Sequence, residues 1–194
     1  IMHNTLFKMQ LDRVRISLLN AAHASVLTRT LELHDTLTGL YNRAGLDDWL
    51  QQQLAVDDED AQVLVVLGNV VGFTELNMLF GASVADGVLA EIAERLVQEA
   101  RGKSGIARLG GTEFLLINLH PSAEPEEIMR KMASLEHAPF EIEGKSVAIG
   151  MRQVWIKGSA SELDTLIEHA RARLQSLFTE DNDLTTWSLP HRKE

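Results

Sequence analysis

Val63-Leu64-Val65-Val66 sets four apolar residues in a row, three of them β-branched. A strand of that make-up has no polar face to turn toward water, so it must be covered on both sides. Helical patterns on either side of it supply the cover. One runs from near Asn42 through Leu46, Trp49, Leu50 and Leu54. A second runs from Val84 to Ala100, with Val88, Leu89, Ile92, Leu96 and Val97 on one face. Pro125 to Leu135 reads as a third, its start carrying Glu124, Glu126 and Glu127 where negative charge suits the helix dipole. Ser161 to Phe178 is the last, capped by Ser159 or Ser161 with Glu162 following. Between them, Arg108 to Leu119 reads as two short strands joined through Gly110-Gly111. Phe140 to Lys145 is an alternating strand entering a turn, and Ser146 to Ile156 is the returning strand. Helices interleaved with strand pairs predict an α/β domain, a mixed central sheet with helices on both faces.

The 194 residues include no cysteine. Disulfides, thiol nucleophiles and CxxC zinc sites are therefore excluded, and the apolar core must hold the fold. At 45% hydrophobic and 24% charged residues the composition is that of a soluble globular protein. No apolar run approaches the roughly 20 residues of a membrane span, and the N-terminus lacks the features of a signal peptide. With 18 Lys and Arg against 28 Asp and Glu, the net charge of −10 repels a phosphate polyanion, so no nucleic-acid partner is expected. The chain opens at Ile1 inside a helical pattern and closes on His191-Arg192-Lys193-Glu194, which suggests a piece of a longer protein. The expected location is the cytoplasm, either alone or as the cytoplasmic part of a larger membrane-attached protein.

From Asn4 to Leu33 neither Gly nor Pro interrupts the chain, and Phe7, Leu11, Val14, Leu18 and Ala21 recur at helical spacing. An offset second stripe, Ile16, Leu19, Val26 and Leu33, makes the apolar surface drift around the helix. Two readings stand: a helix docked on its own domain, or one strand of a short coiled coil joining two copies. The expected organisation is a signalling helix over 1–34, a domain over 35–180 and a tail or linker over 181–194.

Three segments carry a resemblance. Asp35-Thr36-Leu37-Thr38-Gly39-Leu40-Tyr41-Asn42-Arg43 matches D-x-L-T-G-L-x-N-R, with Thr38-Gly39 making a turn that Leu37 and Leu40 anchor to the core. Asn69 to Leu89 is similar to D-I-D-x-F-K-x-x-N-D-x-x-G-H-x-x-G-D-x-x-L through Phe73, Asn77, Gly81, Asp86 and Leu89. Arg108-Leu109-Gly110-Gly111-Thr112-Glu113-Phe114 is similar to R-x-G-G-D-E-F. From about Asp35 to Phe178 the chain thus resembles the GGDEF domain of bacterial diguanylate cyclases, a nucleotidyl-cyclase-like sheet flanked by helices.

The resemblance implies a reaction in which two facing domains each hold GTP and each 3′-hydroxyl attacks the other α-phosphate. Positioning and Mg²⁺ carry most of that chemistry, and Mg²⁺ wants hard, preferably anionic oxygens. At the two metal positions this chain has Asn69 and Thr112, and the second acid of D-I-D is Val71. The expectation is no resident cofactor, weak Mg²⁺ at most, and a degenerate, non-catalytic signature at Gly110, Gly111, Thr112, Glu113 and Phe114. Asn77 and Asp86 match the pair that reads guanine, an amide and a carboxylate suited to a base edge, and with Phe73 and Glu113 they form the nucleotide site if one is retained. The plainer alternatives are a loop amide for Asn77, a helix N-terminal acid for Asp86 and a leftover hairpin charge for Glu113. The family's phosphate-holding Lys and Arg align with Phe178 and Asn182, and its Lys after Phe73 is Thr74. Arg171 and Arg173, slightly earlier, read either as substitutes for those phosphate ligands or, more simply, as a solvated helix face. Of the product-binding R-x-x-D motif, Arg101 remains and Ser104 replaces the acid.

These departures predict a catalytically inactive regulatory or protein-interaction module of cyclic di-GMP signalling, acting on a protein partner or attached domain, with the N-terminal helix either transmitting a signal or joining two copies in a homodimer. Two alternatives remain open: a GTP sensor controlling an attached domain such as an EAL phosphodiesterase, and a diguanylate cyclase with residual activity.

Overall fold

The computed structural model describes residues 2–54, 61–100, 104–119, 130 and 139–180, with side chains from Arg15 to Leu177. Helix α1, Met2–Leu33, leads into α2, Arg43–Gln53. Strand β1, Gln62–Val71, is followed by helices α3, Phe73–Phe80, and α4, Ala82–Glu99. Strands β2, Ser104–Gly110, and β3, Glu113–Leu119, form a hairpin, and β4, Phe140–Ile142, and β5, Lys145–Val147, form a second. Strand β6, Gly150–Ser159, runs through a 3₁₀ turn at Ala160–Glu162 into α5, Leu163–Glu180.

The main sheet has the order β2-β3-β1-β6. Its ladders are all antiparallel, where the sequence pattern suggested a mixed sheet; the parallel element is one isolated bridge between Tyr41 and Ala107. The apolar run of β1 lies at its centre and divides the core by side-chain parity. Leu64 and Val66 join Val88, Leu89, Ile92 and Leu96 of α4 on one face. Val63, Val65 and Leu67 meet Leu46 and Leu50 of α2 and Leu166, Ile167 and Leu174 of α5 on the other. Each fully buried side chain of this kind stabilises by about 1.5–3 kcal/mol relative to exposure.

Two further differences from the sequence pattern have local causes. Helix α3 forms over residues that look like a loop, between Gly72 and Gly81, both at positive φ. The strand expected over Ser146 to Ile156 is two strands. Lys145–Val147 pairs with β4 around a Glu143-Gly144 turn with positive φ at both residues, whereas Gly150–Ser159 pairs with β1. Val147 and Ile149, on either side of Ala148, are both buried in the α4-side core, which draws the chain inward between the two sheets. Helix α1 carries Ile16, Leu18, Leu19, Val26, Leu27 and Leu31 exposed to solvent. Among the described residues no helix is long and apolar enough to cross a membrane. Of the helix expected at Pro125 to Leu135 the structure describes Arg130 alone, and the tail expected over 181–194 lies outside the described residues.

Candidate functional site

The Gly110-Gly111 turn of the β2–β3 hairpin is held from below by one guanidinium. Arg108 donates from Nη1 to both carboxylate oxygens of Asp35, at 2.9 and 3.1 Å. It also donates from Nε and Nη2 to the Gly111 carbonyl, at 3.0 and 2.6 Å. Both glycines have positive φ, 126° and 52°, which side-chain-bearing residues adopt only under strain. Asp35 also accepts bonds from the Thr38 amide and hydroxyl, at 2.9 and 2.7 Å, inside the turn in which Gly39 has a φ of 71°. Burial pushes the Asp35 carboxyl up, but the bonds from Thr38 and Arg108 outweigh it and hold the group below the ordinary 3.8. Leu40 is buried and Leu37 packs against the same core cluster, as the turn reading expects.

This hairpin brings Thr112 against β1. The Val70 amide donates to the Thr112 carbonyl at 3.0 Å, and the Thr112 hydroxyl donates to Asn69 Oδ1 at 3.1 Å. The two residues aligned with the family's metal-binding acids are therefore neighbours, joined by a neutral hydrogen bond. Across the sheet Asn69 faces Glu113 on β3 and Arg152 on β6, so these three side chains share one face at one end of the strands.

Glu113 is not a leftover charge at a hairpin edge. Its carboxylate accepts from Arg171 Nε at 3.1 and 3.2 Å and from Nη2 at 2.9 Å, a forked pair linking β3 to α5. Arg171 Nη1 donates to Glu168 at 2.6 Å, one turn earlier on the same helix. The bond to Glu113 raises the Arg171 pKa above that of an ordinary arginine. The reading of Arg171 as a solvated helix residue is thus corrected, while Arg173 is exposed. The pair joins residues 58 positions apart. The only sequence signal for it was a cation on a helix whose apolar face, Ile167, Ala170 and Leu174, must dock on the sheet.

Asn77 and Asp86 are not brought into this network. Asn77 lies in α3, where its carbonyl caps the helix by accepting the Gly81 amide, and its side chain is exposed. Asp86 is exposed on α4, beyond the first turn that a dipole-stabilised acid would occupy. Phe73 packs partly buried against the α4-side core. Phe114 is fully buried, so the last residue of the signature is a core residue. Beside Asn77, Met78, Leu79 and Phe80 are exposed, and the Lys145 ammonium lies 5.5 Å from the Phe80 ring centroid. Arg101, Asn182 and the Phe178 side chain lie outside the described residues; Ser104, at the start of β2, accepts a 3.3 Å bond from the Asn118 amide group.

Chemically, the corner offers an amide oxygen, a hydroxyl and a carboxylate already engaged by a guanidinium. Residues 32–182 match the family model described as diguanylate cyclase, GGDEF domain. Among curated proteins the chain is 38% identical over 122 residues to the bifunctional diguanylate cyclase/cyclic di-GMP phosphodiesterase MucR of Pseudomonas aeruginosa, covering 61% of this chain and 18% of that protein. Of the solved structures, a sensory box/GGDEF family protein from Caulobacter crescentus superposes with a TM-score of 0.62 at 26% identity, over 75% of this chain and 99% of that one. The coiled coil and GGDEF domain of DgcB from Caulobacter crescentus, in complex with c-di-GMP, gives 0.76 at 19% identity, over 90% and 95%.

Proposed function

The chain belongs to the GGDEF diguanylate cyclase domain family, and on that footing we propose that it is a catalytically silent member, a regulatory or protein-interaction module of cyclic di-GMP signalling. The observation that carries this reading is the Thr112–Asn69 hydrogen bond. Mg²⁺ binds through hard, preferably anionic oxygens and gives up its own waters reluctantly. Here the two aligned ligands are neutral, and the amide oxygen that would face the ion is bonded to its neighbour's hydroxyl. These residues do not fit a divalent ion. Without it, the charge that builds up on a transferring phosphoryl group has no counter-cation at this end of the sheet.

A regulatory role agrees with the way the rest of the domain is kept. The Asp35–Arg108–Gly111 tie and the turn glycines maintain the hairpin's shape although two of its functional oxygens are gone. The matched segment spans about a fifth of MucR, whose name joins cyclase and phosphodiesterase functions in one chain. A silent domain of this kind would act on an attached or separate partner, in the cytoplasm, with the exposed apolar residues of α1 pairing two copies.

The test is incubation of the purified chain with GTP and Mg²⁺, then with Mn²⁺, followed by chromatography for cyclic di-GMP. The expected result is no product above a no-enzyme control; turnover at an ordinary enzymatic rate would refute the proposal. One observation favours nucleotide binding without turnover as a second reading: the Asn77 and Asp86 side chains are exposed. Calorimetry separates the two, because selective GTP binding abolished by Asn77→Ala requires a sensor.

A further inference from the structure

Glu113, the glutamate of the signature, is committed to a basic partner in this chain. Glu113 and Asn69 are register neighbours on β3 and β1, Thr112 is bonded to Asn69, and Arg171 forks onto Glu113 from α5. Arg171 is held in turn by Glu168 and by the docking of Ile167, Ala170 and Leu174 on the sheet. Its guanidinium is therefore fixed in place by the fold. From this geometry we infer that Arg171 is a built-in counter-cation of the corner, a positioning residue that occupies Glu113 and bars divalent metal independently of the two missing acids.

The physical case rests on valence and distance. Restoring aspartate at 69 and 112 would bring two carboxylates beside a third, at the end of one pair of strands. Three such groups supply the anionic oxygens that Mn²⁺ or Mg²⁺ takes as ligands. The third is committed to a fixed positive charge through three donor contacts at 2.9–3.2 Å. A metal entering among them must either displace that fork or tolerate a like charge within a few ångströms, and either one weakens its binding. The inference rests on the proposed silence of the site but makes a separate claim: repairing the two acids alone will not repair the metal site.

The experiment titrates Mn²⁺ by electron paramagnetic resonance into the full chain, the pair Asn69→Asp with Thr112→Asp, and that pair combined with Arg171→Gln. Thermal melts accompany each to confirm folding. The expected order is weakest for the natural chain and tightest for the triple variant, with the triple exceeding the double by about tenfold, the scale of a charge-assisted hydrogen bond. Equal Mn²⁺ affinity in double and triple variants, whether tight or undetectable, would overturn the role given to Arg171 while leaving the silence of the natural chain intact. Tight Mn²⁺ binding by the natural chain would overturn both. A second readout needs no repaired site: the Arg171 Nε–H cross-peak should exchange slowly in the natural chain and fast in Glu113→Gln. Fast exchange in the natural chain would also overturn the inference.

Discussion

At the scale of the residue, Asp35 and Arg108 form a well-shielded charge pair, their side chains 20% and 11% exposed. Replacing one partner leaves the other desolvated without compensation, so Asp35→Asn should lower stability by about 2–3 kcal/mol in urea unfolding at neutral pH. A carboxyl held lower in the folded than in the unfolded chain contributes stability that is complete above its ordinary value near 3.8 and is lost as pH falls through the folded value. The gap between natural chain and variant should therefore shrink on acidification; a gap that stays constant into strong acid would contradict the assignment. Both residues stand in the sequence as motif positions, so their presence was legible, but their meeting across 73 positions was not. The replaced acids were equally legible. That Asn69 and Thr112 would bond to each other, and that Arg171 would take up Glu113, depends on strand register and helix docking, which no local pattern specifies.

At the scale of the element, α2 is tied to the end of α1 at two points. Asn42 accepts the Gly45 amide at 2.9 Å, capping α2, while its own amide group donates to the Glu32 carbonyl at 2.7 Å. Gly45 sits so close that a Cβ would stand 1.9 Å from the Leu33 carbonyl oxygen, which is backbone and cannot swing aside. Gly45→Ala should accordingly destabilise by about 2–3 kcal/mol, measured as a fall in the unfolding midpoint, whereas an unchanged midpoint would mean that the two helices separate easily. Elements with strong periodicity, α4 and α5, were readable along nearly their whole length. Helix α3 was not, because eight residues between two glycines offer too little periodicity. The break between β5 and β6 was missed because both halves share the same alternating composition and differ only in which strand they meet.

At the scale of the molecule, the described side chains of α1 up to Thr30 are exposed, and the ion pair of Arg29 with Asp48 is a surface one at 3.6 Å. Such a pair contributes at most about 1 kcal/mol. Deleting residues 2–28 should thus leave the melting of the globular part within a few degrees of the natural chain, while the proposed pairing through α1 requires sedimentation to shift from dimer to monomer. A large loss of thermal stability would show instead that the helix packs on its own domain. The tie described at Arg108 has a consequence on this scale as well. Asp35 follows the last residue of α1 by two positions, and the same guanidinium that holds it also holds the turn carrying Thr112. A twist applied to the lead helix should therefore reach the far hairpin through that fork and through the Tyr41 backbone bonds to Ile106 and Arg108 beside it.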